Sequence, residues 1–246
     1  MKIDIFEVCA GSVQDCINAE LGGADRVELN SALYLGGLTP SLAMLKLVEK
    51  KTSLKVICMN RPRAAGFCYD DVEIETMFKD AEILLENGAD GISFGFLNPD
   101  ATINITHTKK MVELIHRYRK EAVFHRAFDC VSDPYVSIQQ LIDCGVDRIL
   151  TSGLQPTALQ GCELLKKLQS EFGEQVEILA GSGINVDNIE TLRERTGIHQ
   201  FHGSCKTWRK DPTTTLGNIS YAYHEKDDYD CVSTTNVLQV VQLLKK

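Results

Sequence analysis

Eight times along this chain a short apolar run ends on a polar or glycine-rich cluster, and a stretch of helical spacing follows. The runs are KIDIFEVC (2–9), ADRVELN (24–30), LKVICMN (54–60), DGISFGF (90–96), AVFHRAF (122–128), DRILTSG (147–153), VEILAGSG (176–183) and HQFHGS (199–204). Parallel strands buried on both faces read as near-continuous apolar runs, because helices cover them. Strand then helix, repeated eight times, predicts a (β/α)8 barrel, and 246 residues make one domain, close to the usual size of about 250. In this fold the chemistry collects at the carboxyl ends of the strands. Those ends carry Glu7, Glu28, Arg61, His125-Arg126, Thr151-Ser152, Ser182 and His202.

The gaps carry helix signals. Ser12 precedes a run to Leu21 that stops at Gly22-Gly23, and Thr39-Pro40 opens 40–51. Asp70-Asp71 starts 71–87, where Ile74, Met77, Phe78, Ala81, Leu84 and Leu85 recur at helical spacing. Further helices are expected over 107–120, behind a hairpin-like NPDATIN turn, and over 134–144, 157–172, 187–196 and 235–246. Two connections exceed the short βα norm, 60–70 and 204–234, the second a long loop holding Trp208, Arg209 and a KDDYD cluster. Both leave the carboxyl face and are expected to cover it. Alternation puts Arg26 inside the barrel with Glu7, Cys9, Glu28 and Asn30, while Val8, Val27 and Leu29 face helices. Glu7, Cys9, Glu28 and Asn30 should therefore line the mouth together.

A formal charge of −8 argues against a nucleic-acid surface, which needs clustered Lys and Arg, and against anionic membranes. No apolar run reaches about 18 residues, and MKIDIFEVC lacks a signal-peptide pattern, so a cytoplasmic protein is expected. Nine cysteines, an odd count without a CxxC, read as reduced thiols in a chain too large to need disulfides.

Three constellations carry chemistry. The charged mouth supplies Glu7, Glu28, His125 and Asp129 as candidate acid–base groups, with Arg61, Arg63 and Arg126 to grip an anion. Arg26 and Arg148 are expected in ion pairs lower down. The turns after strands six, seven and eight supply Ser152-Gly153, Gly181-Ser182-Gly183 and His202-Gly203-Ser204. Such glycines let backbone N–H groups approach a phosphate or other small anion at the usual position in these barrels. Cys9 is the candidate soft metal ligand, with Cys58, Met59, Cys68, Cys130 and Cys205 near the mouth.

EVCAGSVQDCINAELGGADRVELN (7–30), GGLTPS (36–41), RPR (61–63), FHRAFD (124–129), RILTSG (148–153), GSGI (181–184) and HGS (202–204) resemble the CutC family of copper homeostasis proteins. The resemblance implies a cytoplasmic (β/α)8 barrel, a homo-oligomer, a role in copper tolerance and Cu(I) as bound ion. The chain departs from the family pattern where it matters for that ion. The pattern often closes both of the first two strands with cysteine, whereas Cys9 is matched here by Asn30. Asn60 replaces the isoleucine of MIRPR, and Cys205 follows HGS in place of alanine. Three function classes follow: copper handling through Cys9, an isomerase- or lyase-type enzyme acting on a small anionic or phosphorylated metabolite, and a non-catalytic barrel that binds a metabolite or partner.

Overall fold

A computed structural model describes residues 3–224 and 229–245. Among the described residues, parallel strands hydrogen-bond in chain order into a closed eight-stranded barrel. The strands are β1 (Ile5–Ala10), β2 (Arg26–Leu29), β3 (Lys55–Met59), β4 (Gly91–Phe94), β5 (Glu121–Phe124), β6 (Arg148–Thr151), β7 (Glu177–Gly181) and β8 (Gln200–Gly203). The helices between and after them are α1 (Val13–Leu21), α2 (Leu42–Lys51), α3 (Asp71–Glu86), α4 (Ile105–Arg117), α5 (Pro134–Asp143), α6 (Cys162–Phe172), α7 (Ile189–Thr196) and α8 (Thr234–Leu244). The expected (β/α)8 barrel is the fold. No helix among the described residues is long and apolar enough to cross a membrane.

Local chemistry explains the helix starts. Ser12 accepts the Asp15 N–H, Asp70 and Glu73 form a reciprocal capping box, and Asp133 caps α5 ahead of Pro134. The outward strand residues Val8, Val27, Ile92, Phe94, Phe124 and Phe201 are fully buried against helices. Each such side chain contributes about 1.5–3 kcal/mol of hydrophobic stabilisation.

Inside the barrel, alternation and register stack side chains in layers drawn from alternate strands. Arg26, Arg148 and Gln200 lie lowest, and Glu7, Ile57, Val123 and Leu179 stand one step above them. Glu28, Ser93, Leu150 and His202 form the next layer, and Cys9, Met59 and His125 the mouth. The floor is an ion network: Arg26 pairs with Glu7, while Arg148 reaches Glu121 and Glu177 at 3.0 and 2.9 Å. Gln200 bridges the two arginines at 3.0 and 2.9 Å.

Four expectations are corrected. α6 begins at Cys162 rather than 157, since Gly153 and Leu154 take positive φ and the Ala158 N–H bonds the Ser182 carbonyl instead of a helical one. α4 runs earlier, from Ile105, because Asn104 caps it, and it ends before Arg119 at φ +59°. Pro40 stands outside α2, whose cap is Ser41. The segment 204–234 is no plain loop: β9 (Lys206–Arg209) pairs antiparallel with β12 (Tyr229–Val232), and β10 (Thr215–Leu216) with β11 (Ile219–Ser220). Asp15 and Asn18 of α1 anchor this arm through both backbone groups of Val232, at 2.7 and 2.9 Å. The sequence cluster KDDYD lies partly outside the described residues.

Candidate functional site

A cavity of about 460 Å3 opens at the carboxyl ends of the strands. Cys9, Glu28, Met59, His125, Leu150 and His202 form its floor and inner wall. Arg61 and Phe67 from the β3 connection, Arg126 and Asp129 beyond β5, and the turns Ser182-Gly183 and Gly203-Ser204 form the rim. Lys206 and Asp230 lean in from the arm, so both long connections contribute to the wall, as their exit from this face predicted.

The deepest part is a chain of four side chains. His202 Nδ1 lies 2.8 Å from Glu7 Oε1, and Glu7 also accepts from Arg26 Nε. Burial pushes the Glu7 carboxyl up, but Arg26 and His202 outweigh it and hold the carboxyl well below its usual range. Burial pulls His202 down, yet its hydrogen bonds to Cys9 and Glu7 raise it well above the ordinary imidazole value. With Nδ1 committed to Glu7, His202 turns Nε2 toward Cys9. Burial raises the Cys9 thiol, which donates to Glu28 Oε2 at 3.9 Å. Glu28 is held in turn by Ser93 Oγ at 2.8 Å and Asn30 Nδ2 at 3.1 Å. Cys9, Glu28 and His202 thus bring a sulfur, an oxygen and a nitrogen within 4.8 Å of one another. Glu7 itself lies two layers below the mouth, a correction to its expected place there.

The second feature is a pair of buried groups under Phe67. His125 Nδ1 accepts the Ala127 N–H at 3.1 Å, which leaves the ring proton on Nε2. Burial, and after it Arg61, pushes His125 down to about 3, so the ring is neutral. Gly95 makes room for it: a Cβ there would sit 2.6 Å from His125 Cε1. Arg61 donates from Nη1 to the Leu35 and Gly37 carbonyls at 3.0 Å and from Nη2 to the Ala65 carbonyl at 2.5 Å. The Phe67 ring packs on both, 5.2 Å from the Arg61 guanidinium and 5.0 Å from the His125 ring.

The remaining expected residues fall into two groups. Asp129 accepts from Thr151 Oγ1 at 2.6 Å, Ser152 N at 3.0 Å, Leu154 N at 3.2 Å, Ser152 Oγ at 3.0 Å and Arg126 Nε at 2.7 Å. Its acceptor capacity goes into shaping the β6 turn, and Ser152 and Gly153 lie behind it, outside the cavity wall. Arg63 also stands outside, paired with Glu73 and packed over the Tyr69 ring at 4.9 Å. Gly181 ends β7 without reaching the wall, whereas Ser182, Gly183, Gly203 and Ser204 do. Of the cysteines, Cys9 and Cys130 reach the cavity; Cys58 faces helices, and the described thiols are all free.

Several wall residues were not among the expected site residues: Leu33, Gly36, Phe67, Lys206 and Asp230. The alternation of KTWR and YDCV was the available signal for the last two, since it marks a strand pair.

Comparison with known proteins agrees with this architecture. The CutC family model matches residues 4–207. The chain is 41% identical to a CutC family protein of Treponema denticola over 248 residues, 99% of this chain and 100% of the relative. It is 38% identical to the human copper homeostasis protein cutC homolog over 205 residues, covering 83% of this chain and 74% of that one. A crystal structure of the copper homeostasis protein CutC from Streptococcus agalactiae superposes with a TM-score of 0.76 at 29% identity, over 82% of this chain and 99% of that one. Matched from residue 4 to residue 207 and aligned end to end with a relative at 41% identity, the chain belongs to the CutC family.

Proposed function

We propose that this protein serves copper homeostasis in the cytoplasm by binding Cu(I) at the barrel mouth. The convergence of Cys9, Glu28 and His202 within 4.8 Å carries the reading. Cu(I) is soft and takes thiolate and imidazole donors, so Cys9 Sγ and His202 Nε2 fit it, with the harder Glu28 carboxylate balancing charge. Glu7 behind His202 is the carboxylate that orients a metal-bound imidazole from its far side. Anaerobic titration against a chromophoric Cu(I) chelator tests this. Near-stoichiometric binding that Cys9→Ser weakens by tenfold or more is expected. Equal affinity in Cys9→Ser would sink the reading. The family's homo-oligomeric state is part of the proposal, and sedimentation equilibrium checks it.

A second reading is favoured by the cavity's size. About 460 Å3 lies in the range of small-molecule sites and far exceeds one ion. The rim residues Arg126, Ser182, Gly183, Gly203 and Ser204 suit a small anionic or phosphorylated metabolite, with Glu28 and His202 available for proton transfer. Neutral His125 then acts as a hydrogen-bond donor rather than as a base. A thermal-shift screen of phosphometabolites against Cu(I) separates the two readings, since a ligand selective for the native state raises its melting temperature.

A further inference from the structure

Arg61 is a cation left without a counter-ion. It is 6% exposed, its three hydrogen-bond partners are carbonyl oxygens, and no carboxylate pairs with it among the described residues. Neighbouring Tyr69 supplies no charge, because burial pushes its phenol up to about 12. Buried charges are otherwise paired or neutralised, and a guanidinium cannot lose its proton. The Arg61 Nε–H, moreover, is buried with no partner. His125, 2% exposed, shows the same gap: Nδ1 is occupied by the Ala127 N–H, while Nε2 is buried and unpartnered. Both residues line the same cavity under the same Phe67 ring. Buried polar atoms are satisfied in roughly nine cases in ten or more, and these two orphan donors belong to residues that line one cavity.

We infer that Arg61 Nε–H and His125 Nε2–H form a subsite for the carboxylate of a small organic acid. The carboxylate supplies the charge Arg61 lacks and the acceptors that both N–H groups lack. A neutral ligand satisfies the hydrogen bonds but leaves the cation uncompensated. One cationic and one neutral donor then donate to the oxygens of one planar group, while the Ser182-Gly183 and Gly203-Ser204 turns remain for a second anionic end. This deepens the metabolite-binding reading and is independent of copper.

The test follows the His125 ring by NMR in full-length, 15N-labelled protein, with sodium pyruvate, acetone and inorganic phosphate titrated separately. Pyruvate is expected to shift the Nε2–H signal saturably, and acetone, which keeps the carbonyl and lacks the carboxylate, to leave it in place. In His125→Asn the Oδ1 atom still accepts the Ala127 N–H, but the shorter side chain carries no N–H at the position of His125 Nε2. Pyruvate affinity should fall about tenfold or more. Equal responses to pyruvate and acetone overturn the subsite. If phosphate moves the Ser182 and Gly183 amides while pyruvate leaves the ring unmoved, the subsite fails and the wider anion reading stands. If neither anion shifts a signal at the mouth, both fail. The ring titration uses the native sequence, so an unfolded variant does not remove the test.

Discussion

His202 Nδ1 and Glu7 Oε1 meet at 2.8 Å across the β8–β1 seam that closes the barrel, at a point where both side chains are buried. That contact sets which nitrogen of His202 faces the cavity. Its raised pKa and the depressed value of Glu7 make it a pH-dependent part of the fold.

The signs differ for the two partners. The His202 contribution is complete below about 6.5 and is lost as pH rises through its folded value. The Glu7 contribution is complete above 4.5 and is lost as pH falls toward its folded value. Histidine 15N NMR should show His202 protonated above pH 6.5 and His125 neutral well below it. Glu7→Gln should bring His202 down and cost about 3–5 kcal/mol in urea unfolding, because it strips a partner from a buried pair. An unchanged His202 titration in that variant would contradict the assignment.

Metal binding at Cys9 and His202 must displace a thiol proton and an imidazolium proton. Apparent Cu(I) affinity should therefore climb by roughly ten- to a hundredfold per pH unit around neutrality. Chelator competition at several pH values measures the slope, and a flat profile would exclude these two donors.

Asn30 stands between Cys9 and Glu28, 3.5 Å from the sulfur and 3.1 Å from Oε2. Asn30→Cys should place a second thiolate beside the first and raise Cu(I) affinity about tenfold or more. The same change removes a hydrogen bond to Glu28 and should lower stability by about 1 kcal/mol. Parallel copper titrations and thermal melts check both parts.

Gly153 has φ +71°, and a Cβ there would sit 2.4 Å from the Gly161 carbonyl oxygen. Gly153→Ala must push two backbone segments apart beneath Asp129. Unfolding measurements should show a loss of about 1–3 kcal/mol. A neutral result would mean that this close approach is not maintained.

How much of this was legible in advance differs by scale. The eight runs and their capping residues anticipated the barrel, since strand and helix periodicities are local. Same-face arithmetic placed Cys9 and Glu28 correctly on the inner wall and Val8 and Val27 against helices. The same arithmetic put Glu7 at the mouth, because alternation tells in from out and says nothing of depth. Arg61 and Arg63 read as equivalent anion clamps in RPR. One is buried against carbonyls on the cavity wall; the other turns outward to Glu73.

The chain's own pattern was thus sufficient for the architecture, for the inward set of side chains and for the face where chemistry gathers. Those features depend on periods of two and 3.6 residues and on caps read within a few positions. Depth and pairing were settled only when distant segments met. Glu7 and His202 are 195 residues apart, and the stagger of β1 against β8 decides that they touch. No local rule carries that stagger, because it arises from closing all eight strands at once.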